Sequence, residues 1–487
     1  MSLQQKIDRI TDILRRDDGI SGAMHYTEQT SWILFLKFLD DYEAEKAEDA
    51  VLSGLDYVPV LDEEHHWSNW ACPKTADGKL DIQKARTGDD LRDYVNEQLF
   101  PYLQSFRTRV QNDPQSFGYK IGAIFEYLDN KIASGHTLRE VLDIIDSLNF
   151  QSETELFELS QVYEGLLQNM GDAGGYAGEF YTPRALVRTV VKVIDPQAGQ
   201  TIYDAAAGSC GFLIDAFEHL KQNRNKLTTK QWDFIQQKTF FGFEKTSLAY
   251  VMGMILHGIE SPNLYRKNTL TQDIRHIQEK DRYDIILANP PFGGKEKTLI
   301  QQHFPVQSNA TELLFLQHFM KSLKRGGKAA IVVPEGVLFQ TNSAFKQVKE
   351  ELLEYFNLHT ILSLPAGVFL PYSGVKTNVL FFERSGGTTE TWFYECEPEK
   401  KLTKNKPLND GHLAEFVDLY DKRSTTDHSW TVSVGELKKE YDLSAKNPAK
   451  QNDIEHLAPR KILELIQEKE TAVTNLLGEI DALLVEK

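Results

Sequence analysis

The sequence predicts an α/β protein in which a doubly wound, mostly parallel sheet follows an all-helical N-terminal region and precedes a C-terminal helical tail. Two observations predict it. Between residues 201 and 364, short apolar runs alternate with amphipathic segments of about 10 to 15 residues, the pattern of strands separated by helices. On both sides of this stretch, apolar residues recur every three or four positions, as they do on one face of a helix. Strands joined by helices are parallel, and ligands bind at the carboxyl ends of such strands.

The first 170 residues form the predicted helical domain. Apolar residues at helical spacing run through 3–14 and 32–42 and return in later stretches of this region. A loop-like stretch at 62–72 contains acidic residues, two histidines and a cysteine, but the spacing fits no standard metal site. We therefore predict no metal, and we expect Trp67 and Trp70 to pin this loop onto the helices.

The composition is that of a globular protein whose charge is unevenly distributed. The chain has 487 residues, of which 41% are hydrophobic, and a net charge of −17. Residues 1–170 contain 16 basic and 31 acidic side chains. The remaining residues contain 38 basic and 40 acidic side chains, so that part of the chain is nearly neutral. Three scattered cysteines, no apolar signal segment and no apolar run of membrane-spanning length predict a cytoplasmic protein without disulfides or membrane contact.

The central domain, residues 171–400, contains the predicted sheet. A Gly-rich stretch at 171–178 separates it from the helical region. The strands are predicted at 201–205, 239–244, 283–288, 328–333 and 359–364, with a hairpin through 379–384. The intervening helices are predicted at 211–222, 247–258, 311–323 and 343–356.

Residues 401–487 are predicted to form a polar, lysine-rich linker and a C-terminal helix. Pro459 can begin this helix at its first turn. Residues at alternating four- and three-residue spacing then form a seam like that of a coiled coil: Ile462, Ile466, Lys469, Val473, Leu476, Ile480 and Leu483. The helix either packs on its own domain or docks on a partner subunit.

The segment DAAAGSCGF, from Asp204 to Phe212, follows a predicted strand and begins a helix. Gly208 and Gly211 allow the backbone to turn sharply and to approach a ligand closely. Glu244 ends the next strand, where an acidic side chain is placed to bind a ribose diol. Together these features predict an adenosine-containing cofactor, and they leave open whether it is NAD or S-adenosylmethionine.

The segment YDIILANPPF runs from a buried strand into Pro290 and Pro291. The prolines fix φ and remove two backbone donors, so the peptide is stiff and offers acceptors only. The side-chain carbonyl of Asn289 and the backbone carbonyl of Pro290 can both accept hydrogen bonds from one amino group. Phe292 offers a flat face on which a base can stack. The motif therefore predicts a site that directs the lone pair of an amino nitrogen towards an electrophile.

These segments together resemble a known family. GEFYTPR at 178–184, the glycine loop and NPPF occur in the order found in amino-group DNA methyltransferases. The chain most resembles the methylation subunit of type I restriction–modification systems, and the resemblance includes the N-terminal segment SWILFLKFLDDYE and the C-terminal tail. It implies a Rossmann-like methyltransferase sheet and a site-specific, adenine-N6 DNA methyltransferase activity.

The resemblance also assigns roles to residues. The segment expected to line the methionine end of S-adenosylmethionine comprises Glu179, Phe180, Tyr181, Thr182, Pro183 and Arg184. The loop expected to pass close to the cofactor contains Asp204, Gly208, Ser209, Cys210 and Gly211. Glu244 is expected to bind the ribose hydroxyls, and Asn268, at a position often occupied by Asp, is expected near the cofactor adenine. The NPPF motif is expected to hold the target adenine as the catalytic segment, with Asn289, Pro290, Pro291 and Phe292.

The implied reaction needs no covalent intermediate. The target base must leave the duplex, because its amino group is buried there. Two acceptors on that amino group then favour in-line transfer of the methyl from a positively charged sulfonium. A cytosine-C5 enzyme would use a cysteine nucleophile, whereas Cys210 lies in the cofactor loop and not in a Pro-Cys motif.

The resemblance further implies partners that choose the DNA site. A specificity subunit would select the sequence, with two methylation subunits for each specificity subunit and a restriction subunit added in the full complex. The acidic composition agrees with a chain that does not find double-stranded DNA alone. Two alternatives stay open at this point: a self-sufficient adenine-N6 methyltransferase, and a scaffold that binds the cofactor without methylating DNA.

Overall fold

The computed structural model describes residues 2–110, 113, 116–148, 150, 158–165, 181–245, 249–370, 373–450 and scattered positions between 467 and 477. Contacts divide the chain into two compact units, Met1–Ser444 and Ala445–Lys487. Within the described ranges, no helix is both long and apolar enough to cross a membrane.

The N-terminal region is built from helices, as the apolar periodicity predicts. The first begins at a capping box in which Ser2 and Gln5 exchange hydrogen bonds. Aromatic rings fill the core between the helices: Trp32 meets Phe100 edge to face at 5.2 Å between ring centroids. The helices are Leu3–Leu14, Ala23–Leu52, Trp67–Trp70, Gly88–Tyr94, Phe100–Arg109, Phe117–Phe125 and Gly135–Asp146, with a π-helical turn at Val95–Leu99.

The tryptophan-containing loop packs onto these helices. Trp67 and Trp70 are both buried, and the Trp67 indole donates a hydrogen bond to Asp146 Oδ1 at 2.9 Å. The prediction that they pin the loop is confirmed. No cluster of three metal-ligating side chains occurs among the described residues.

Two lysines connect the helical region to the sheet region. The buried Lys120 ammonium donates to the Ser261 backbone carbonyl at 2.8 Å and also to its hydroxyl. Lys46 pairs with Glu260 at 3.1 Å. Burial lowers the pKa of Lys120 to about 8, because the cation gives up water for a few fixed dipoles. The helical region is therefore packed against the sheet region within the first compact unit.

The sheet region contains nine strands in one sheet, in the order β3-β2-β1-β4-β5-β7-β6-β8-β9. The strands are β1 Ile202–Asp204, β2 Phe240–Glu244, β3 Asn263–Arg266, β4 Tyr283–Ala288, β5 Leu323–Pro334, β6 Asn357–Ser363, β7 Thr377–Glu383, β8 Glu390–Glu395 and β9 Ser429–Ser433. Five of the eight pairings are parallel, as predicted for a mostly parallel sheet. The α/β fold class is confirmed.

Helices flank the strands and connect them. They are Arg184–Ile194, Gly211–Lys221, Thr229–Lys238, Ala249–Leu256, Thr298–Gln301, Thr311–Ser322, Glu335–Phe339, Ser343–Tyr355, Ala414–Leu419 and Val434–Leu437. The last four residues of β4 and the last six of β5 are buried without interruption, because helices cover both faces of a parallel sheet.

The order of strands reverses between β1 and β4. From β1 the chain moves outward through β2 and β3, and then returns to place β4 on the other side of β1, with Ile202 opposite Ile285. Connections to the two sides leave a crevice at the carboxyl ends of the two strands where the direction changes. This crevice is the expected ligand-binding position of the fold.

The structure adds strands that the sequence pattern does not reveal. β3 is a four-residue strand with only two buried positions, too short for a periodic signal. β7 corresponds to the predicted hairpin through 379–384 and lies antiparallel between β5 and β6, whereas β8 and β9, which were not predicted, extend the sheet beyond β6. Since β9 follows residue 400, the predicted boundary between sheet domain and linker falls within the stretch of chain that forms the sheet.

The second unit is described at residues 445–450, which include a 3₁₀ turn at Pro448–Lys450, and at scattered positions between 467 and 477. Each described residue between 467 and 477 is helical, and Val473 and Leu476 are more than half exposed. Most of the predicted seam, including Ile462, Ile466, Ile480 and Leu483, lies outside the described residues. The predicted tail helix and its docking role therefore stay predictions.

Candidate active site

The crevice between β1 and β4 brings together two of the predicted motifs. β1 ends at Asp204, where the glycine loop begins, and β4 ends at Ala288, directly before Asn289. Because β1 and β4 are adjacent and parallel, both motifs leave the same edge of the sheet side by side. The sequence spacing between them is 85 residues, so the sheet alone makes them neighbours.

The glycine loop makes two left-handed turns before its helix begins. Gly208 has φ +48° and Cys210 has φ +59°, a region in which a residue with a Cβ is strained. Cys210 occupies the N-cap position of the helix Gly211–Lys221. Cys210 therefore stands at a position where the backbone conformation itself favours glycine.

Two carboxyl groups flank this loop. Glu244 Oε2 accepts a hydrogen bond from the Gly208 amide at 2.8 Å, and Asp204 Oδ1 accepts one from the Ala206 amide at 2.9 Å. Burial raises the pKa of Asp204 to about 8, and the neighbouring Glu244 adds to the shift. Burial thus favours the protonated form of Asp204, while Glu244 is hydrogen-bonded to the backbone of the turn.

The floor of the crevice has no room for a side chain at Gly242. A Cβ built on this residue of β2 would lie 2.5 Å from Leu264 Cδ2 and 3.0 Å from the carbonyl oxygen of Asp204. This close packing holds the ends of β1 and β2 together, and it brings Glu244, two residues further on, beside the glycine loop. The geometry explains how the acidic residue and the loop meet.

The NPPF motif places one buried acceptor in the crevice. The Asn289 amide nitrogen donates to Thr182 Oγ1 at 3.0 Å. Asn289 Oδ1 is buried and has no hydrogen-bond partner among the described residues. A buried polar atom without a partner is rare in folded proteins and costs free energy. The side chain is thus oriented by Thr182 with its acceptor available.

The aromatic residue of the motif packs against a second aromatic ring. Phe292 is only 9% exposed, and its ring meets that of Phe369 edge to face at 5.7 Å between centroids. Pro290 is buried and Pro291 half-buried, which fixes the peptide between Asn289 and the ring. The orientation of Phe292 is therefore fixed by a residue that follows β6.

Arg184 forms several side-chain contacts and ends the GEFYTPR segment, of which residues 181–184 are described. Its guanidinium pairs with Asp215 at 3.0 Å and with Glu164, and it donates to the Gly211 carbonyl and to the Tyr181 hydroxyl, both at 3.1 Å. A Cβ on Gly211 would lie 3.2 Å from one guanidinium nitrogen. Arg184 thus joins the GEFYTPR segment to the helix that begins after the glycine loop.

A histidine extends this ion-pair network. His257 Nε2 lies 3.0 Å from Glu164, and its Nδ1 lies 3.4 Å from Glu218. Burial alone would raise the pKa of Glu164, but the hydrogen bond from His257 and the charge of Arg184 outweigh it, and the net shift is downward. Glu164 is therefore held as a carboxylate between the Arg184 guanidinium and the His257 ring.

Cys210 and Asn268 have local structural contacts. The Cys210 thiol is fully buried, and burial raises its pKa well above the ordinary value, so it is not a thiolate nucleophile. Asn268 Oδ1 accepts a hydrogen bond from the Leu270 amide at 3.1 Å and caps a short 3₁₀ turn at Thr269–Thr271. Asn268 lies just beyond β3, whose carboxyl end is at the same edge of the sheet.

The structure gathers most of the predicted site residues at one edge of the sheet. Those with contacts around the crevice are Thr182, Arg184, Asp204, Gly208, Cys210, Gly211, Glu244, Asn289 and Phe292. The Tyr181 hydroxyl accepts a hydrogen bond from Arg184, and Pro183 is the N-cap of the helix that begins at Arg184. Ser209 is half-buried in the glycine loop. Glu179 and Phe180 lie outside the described residues.

Two residues that contact the predicted site residues could not be identified from the sequence. Phe369 packs against Phe292 and fixes its orientation, and Glu164 forms an ion pair with Arg184. Neither belongs to a motif, and both act through contacts across long stretches of chain. The segment before GEFYTPR contains several acidic residues and no basic ones, and its sequence gives no sign that Glu164 turns inward.

Comparisons with known proteins identify the family of this chain. Residues 156–457 match the family described as N-6 DNA Methylase, and residues 3–145 match the HsdM N-terminal domain. The chain is 34% identical to the EcoEI methylase subunit of a type I restriction enzyme from Escherichia coli, over 99% of this chain and 98% of that protein.

Solved structures give the same result. A modification subunit of a putative type I restriction enzyme from Vibrio vulnificus YJ016 superposes with a TM-score of 0.83 at 37% identity, covering 94% of this chain and 99% of that one. A second structure comes from work on complex assembly and conformational transition of the type I R-M system. Its chain superposes with a TM-score of 0.75 at 41% identity, covering 100% of this chain and 98% of that one.

Proposed function

The chain belongs to the N-6 DNA methylase family and to the methylase subunits of type I restriction enzymes, and from this premise we propose that it transfers a methyl group from S-adenosylmethionine to the N6 amino group of adenine in DNA. One observation carries the proposal: Asn289 Oδ1 is a buried acceptor without a partner among the described residues. Such an atom costs about 1–3 kcal/mol unless a ligand pairs with it. The amino group of a flipped adenine is a donor suited to it.

The arrangement of the motif supports transfer to an amino nitrogen. Thr182 holds the amide nitrogen of Asn289, so the oxygen is the atom left for the substrate. The carbonyl of Pro290 supplies a second acceptor on the same stiff peptide. With both hydrogens of the amino group accepted, its lone pair is directed away from them, and the rigid pairing orients the nitrogen for in-line attack. No proton acceptor of high basicity is required at the start of this step.

Phe292 supplies the surface for the base. Its ring is fixed by Phe369, so the face it offers is set before the base arrives. Stacking on an aromatic ring contributes about 1–3 kcal/mol per base. That free energy helps to offset the cost of removing adenine from the duplex.

The crevice fits the proposed cofactor. S-adenosylmethionine, when bound, supplies a methyl group on a positively charged sulfonium. Glu244 offers carboxylate acceptors to ribose hydroxyls from the end of β2, and the left-handed turns at Gly208 and Cys210 let the backbone approach closely. The glycine loop after β1, Glu244 at the end of β2 and Asn268 beyond β3 lie at the same edge of the sheet, which supports binding of the cofactor there.

Glu244→Gln is expected to weaken binding of S-adenosylmethionine by about 10- to 100-fold, since hydrogen bonds to a charged acceptor contribute about 1.5–3 kcal/mol. Isothermal titration of the full chain with the cofactor measures the change. Glu390→Gln, at an exposed carboxylate on the amino end of β8, is the matched control and should bind as the wild type does. Equal affinities for the two variants would remove Glu244 from the cofactor site.

We further propose that a specificity subunit selects the DNA site. The relatives are named as methylase subunits of type I restriction enzymes, and the first 170 residues carry most of the net negative charge of the chain, which disfavours independent binding to a polyanion. The proposal extends to a second methylation subunit and to a restriction subunit in the full complex.

The proposal is tested by methyl transfer from labelled cofactor to duplex DNA, with and without the specificity subunit. The label should appear as N6-methyladenine at one sequence only when the specificity subunit is present. Site-specific methylation by the chain alone would favour the self-sufficient enzyme instead. Cofactor binding without transfer under both conditions would favour the scaffold.

A further inference from the structure

The lysine-rich segment after β8 is an ordered hairpin. Thr403 and Lys406 exchange two backbone hydrogen bonds, at 3.1 and 3.0 Å, and form an isolated antiparallel bridge. Leu402 and Leu408 on either side of the turn are buried and anchor it. The sequence pattern predicts a linker here, and the structure instead fixes this segment on the surface of the first compact unit.

The hairpin carries four exposed cations. Lys400, Lys401, Lys404 and Lys406 are all exposed, and none forms an ion pair with another described residue. Elsewhere on the same surface, Lys376 differs, because it lies 3.4 Å from Glu335 and 3.9 Å from Glu395. The hairpin is therefore a local surplus of positive charge on a chain whose net charge is −17.

A direct chain of contacts leads from the hairpin to the NPPF motif. A Cβ on Gly367 would lie 3.3 Å from the Leu402 carbonyl oxygen. Two residues further on, Phe369 packs against Phe292. Consecutive Cα atoms are about 3.8 Å apart, so the segment between β6 and β7 touches both the hairpin and the motif within a span of three residues.

A groove opens beside the hairpin at the same edge of the sheet. It is lined by residues that follow β6 and β8, together with Lys376, Lys400 and Lys401, and its volume is about 410 Å³. Its lining includes the carboxylates Glu395 and Glu397, and Glu395 faces Lys376. The groove lining thus contains three lysines and two carboxylates, and two of these lysines, Lys400 and Lys401, belong to the hairpin.

From these observations we propose that the hairpin 400–406 binds backbone phosphates of the DNA strand that carries the target adenine. This inference rests on the proposed function, because the adenine must enter at the carboxyl edge of the sheet to reach Asn289. A DNA strand carries a phosphate about every 3.4 Å of helix axis, so a strand whose base stacks on Phe292 presents phosphates within reach of the hairpin. Lysine is suited to this role, since it contacts phosphate as a point charge without reading sequence.

The test uses the complex of the full chain with the specificity subunit. The variant K400Q/K401Q/K404Q/K406Q is compared with K221Q/K226Q/K230Q/K238Q, a control with the same charge change. The control lysines lie on and near helix Thr229–Lys238, which leads into the amino end of β2, at the edge opposite the crevice. DNA dissociation constants are measured at several salt concentrations, with kcat at saturating DNA and with cofactor affinity.

The hairpin variant should bind DNA about 10- to 100-fold more weakly at 0.1 M salt, and its plot of log affinity against log salt should be less steep by about 0.9 for each phosphate that the hairpin no longer neutralises. Its kcat at saturating DNA, cofactor affinity and melting temperature should match the wild type, and the control should keep the wild-type slope. An unchanged slope would overturn the inference. Failure of the hairpin variant to assemble with the specificity subunit would also overturn it, because the surface would then bind protein.

The two proposals fail separately. If the wild-type complex binds DNA but transfers no methyl group, the proposed function fails, and the salt slope still reports on the hairpin. If the wild type methylates DNA and both lysine variants behave alike, the proposed function stands and the phosphate site does not.

Discussion

Asn289→Ala is expected to lower kcat for methyl transfer by about 100- to 1,000-fold, the usual loss when one preorganised hydrogen-bonding group is removed from a reacting centre. The structure supplies the reason. Asn289 Oδ1 is buried, has no partner among the described residues and is held in place through the Thr182 hydroxyl. Removing it leaves one acceptor, the carbonyl of Pro290, for an amino group whose lone pair is delocalised into the ring.

Single-turnover transfer in the assembled complex, with titration of the cofactor, measures this loss. Affinity for S-adenosylmethionine should stay within about threefold, because the lost interaction is with the substrate base in the transition state. Two further variants sharpen the result. Asn289→Asp keeps an acceptor and should retain more activity than Ala, whereas Thr182→Val removes only the positioning hydrogen bond and should cost about tenfold. A kcat for Asn289→Ala within threefold of wild type would contradict the assignment.

The sequence was sufficient for the parts of the site that follow from local pattern. Two prolines after an apolar strand, or two glycines before a helix, determine their own backbone geometry, and the structure has β4 ending directly before Asn289 and a helix beginning at Gly211. Parallel pairing of β1 and β4 then brings the two motifs together, as expected for the edge of such a sheet.

Contacts between distant segments could not be predicted in this way. The hydrogen bond between Thr182 and Asn289 crosses 107 residues of sequence, and the ring of Phe369 comes from a segment without a motif. The far half of the sheet was underestimated for a related reason. β8 and β9 pair across a polar stretch whose composition resembles a linker, and the buried leucines that fix the lysine hairpin are too few to give a periodic signal.

Arg184 illustrates how tertiary contacts change the interpretation of a motif. Resemblance alone expects it to line the cofactor site, and its described contacts are with protein groups: Glu164, Asp215, the Gly211 carbonyl and the Tyr181 hydroxyl. Its side chain is 17% exposed, and those of Glu164 and Asp215 are 14% and 18% exposed. A cation in this position acts on the cofactor loop by fixing the first turn of the helix that follows it.

Arg184→Met is therefore expected to lower the free energy of unfolding by about 2–4 kcal/mol, because it leaves two largely buried carboxylates without their shared cation. Thermal melting and denaturant unfolding of the full chain measure the loss. Arg188→Met is the matched control on the same helix. Its pair with Asp410 is 2.7 Å long but more than half exposed on both sides, so its loss should cost less than about 1 kcal/mol.

A second substitution separates the structural role from contact with the cofactor. Glu164→Gln removes one of the uncompensated carboxylates. The substitution should therefore lower the free energy of unfolding less in the Arg184→Met background than in the wild type, because the effects of residues in one ion-pair network are not additive. His257 would then keep only Glu218 as a carboxylate partner. If Arg184→Met melts as the wild type does and yet loses affinity for S-adenosylmethionine, the guanidinium contacts the cofactor directly. A loss of stability with coupling to Glu164 assigns Arg184 to positioning the glycine loop.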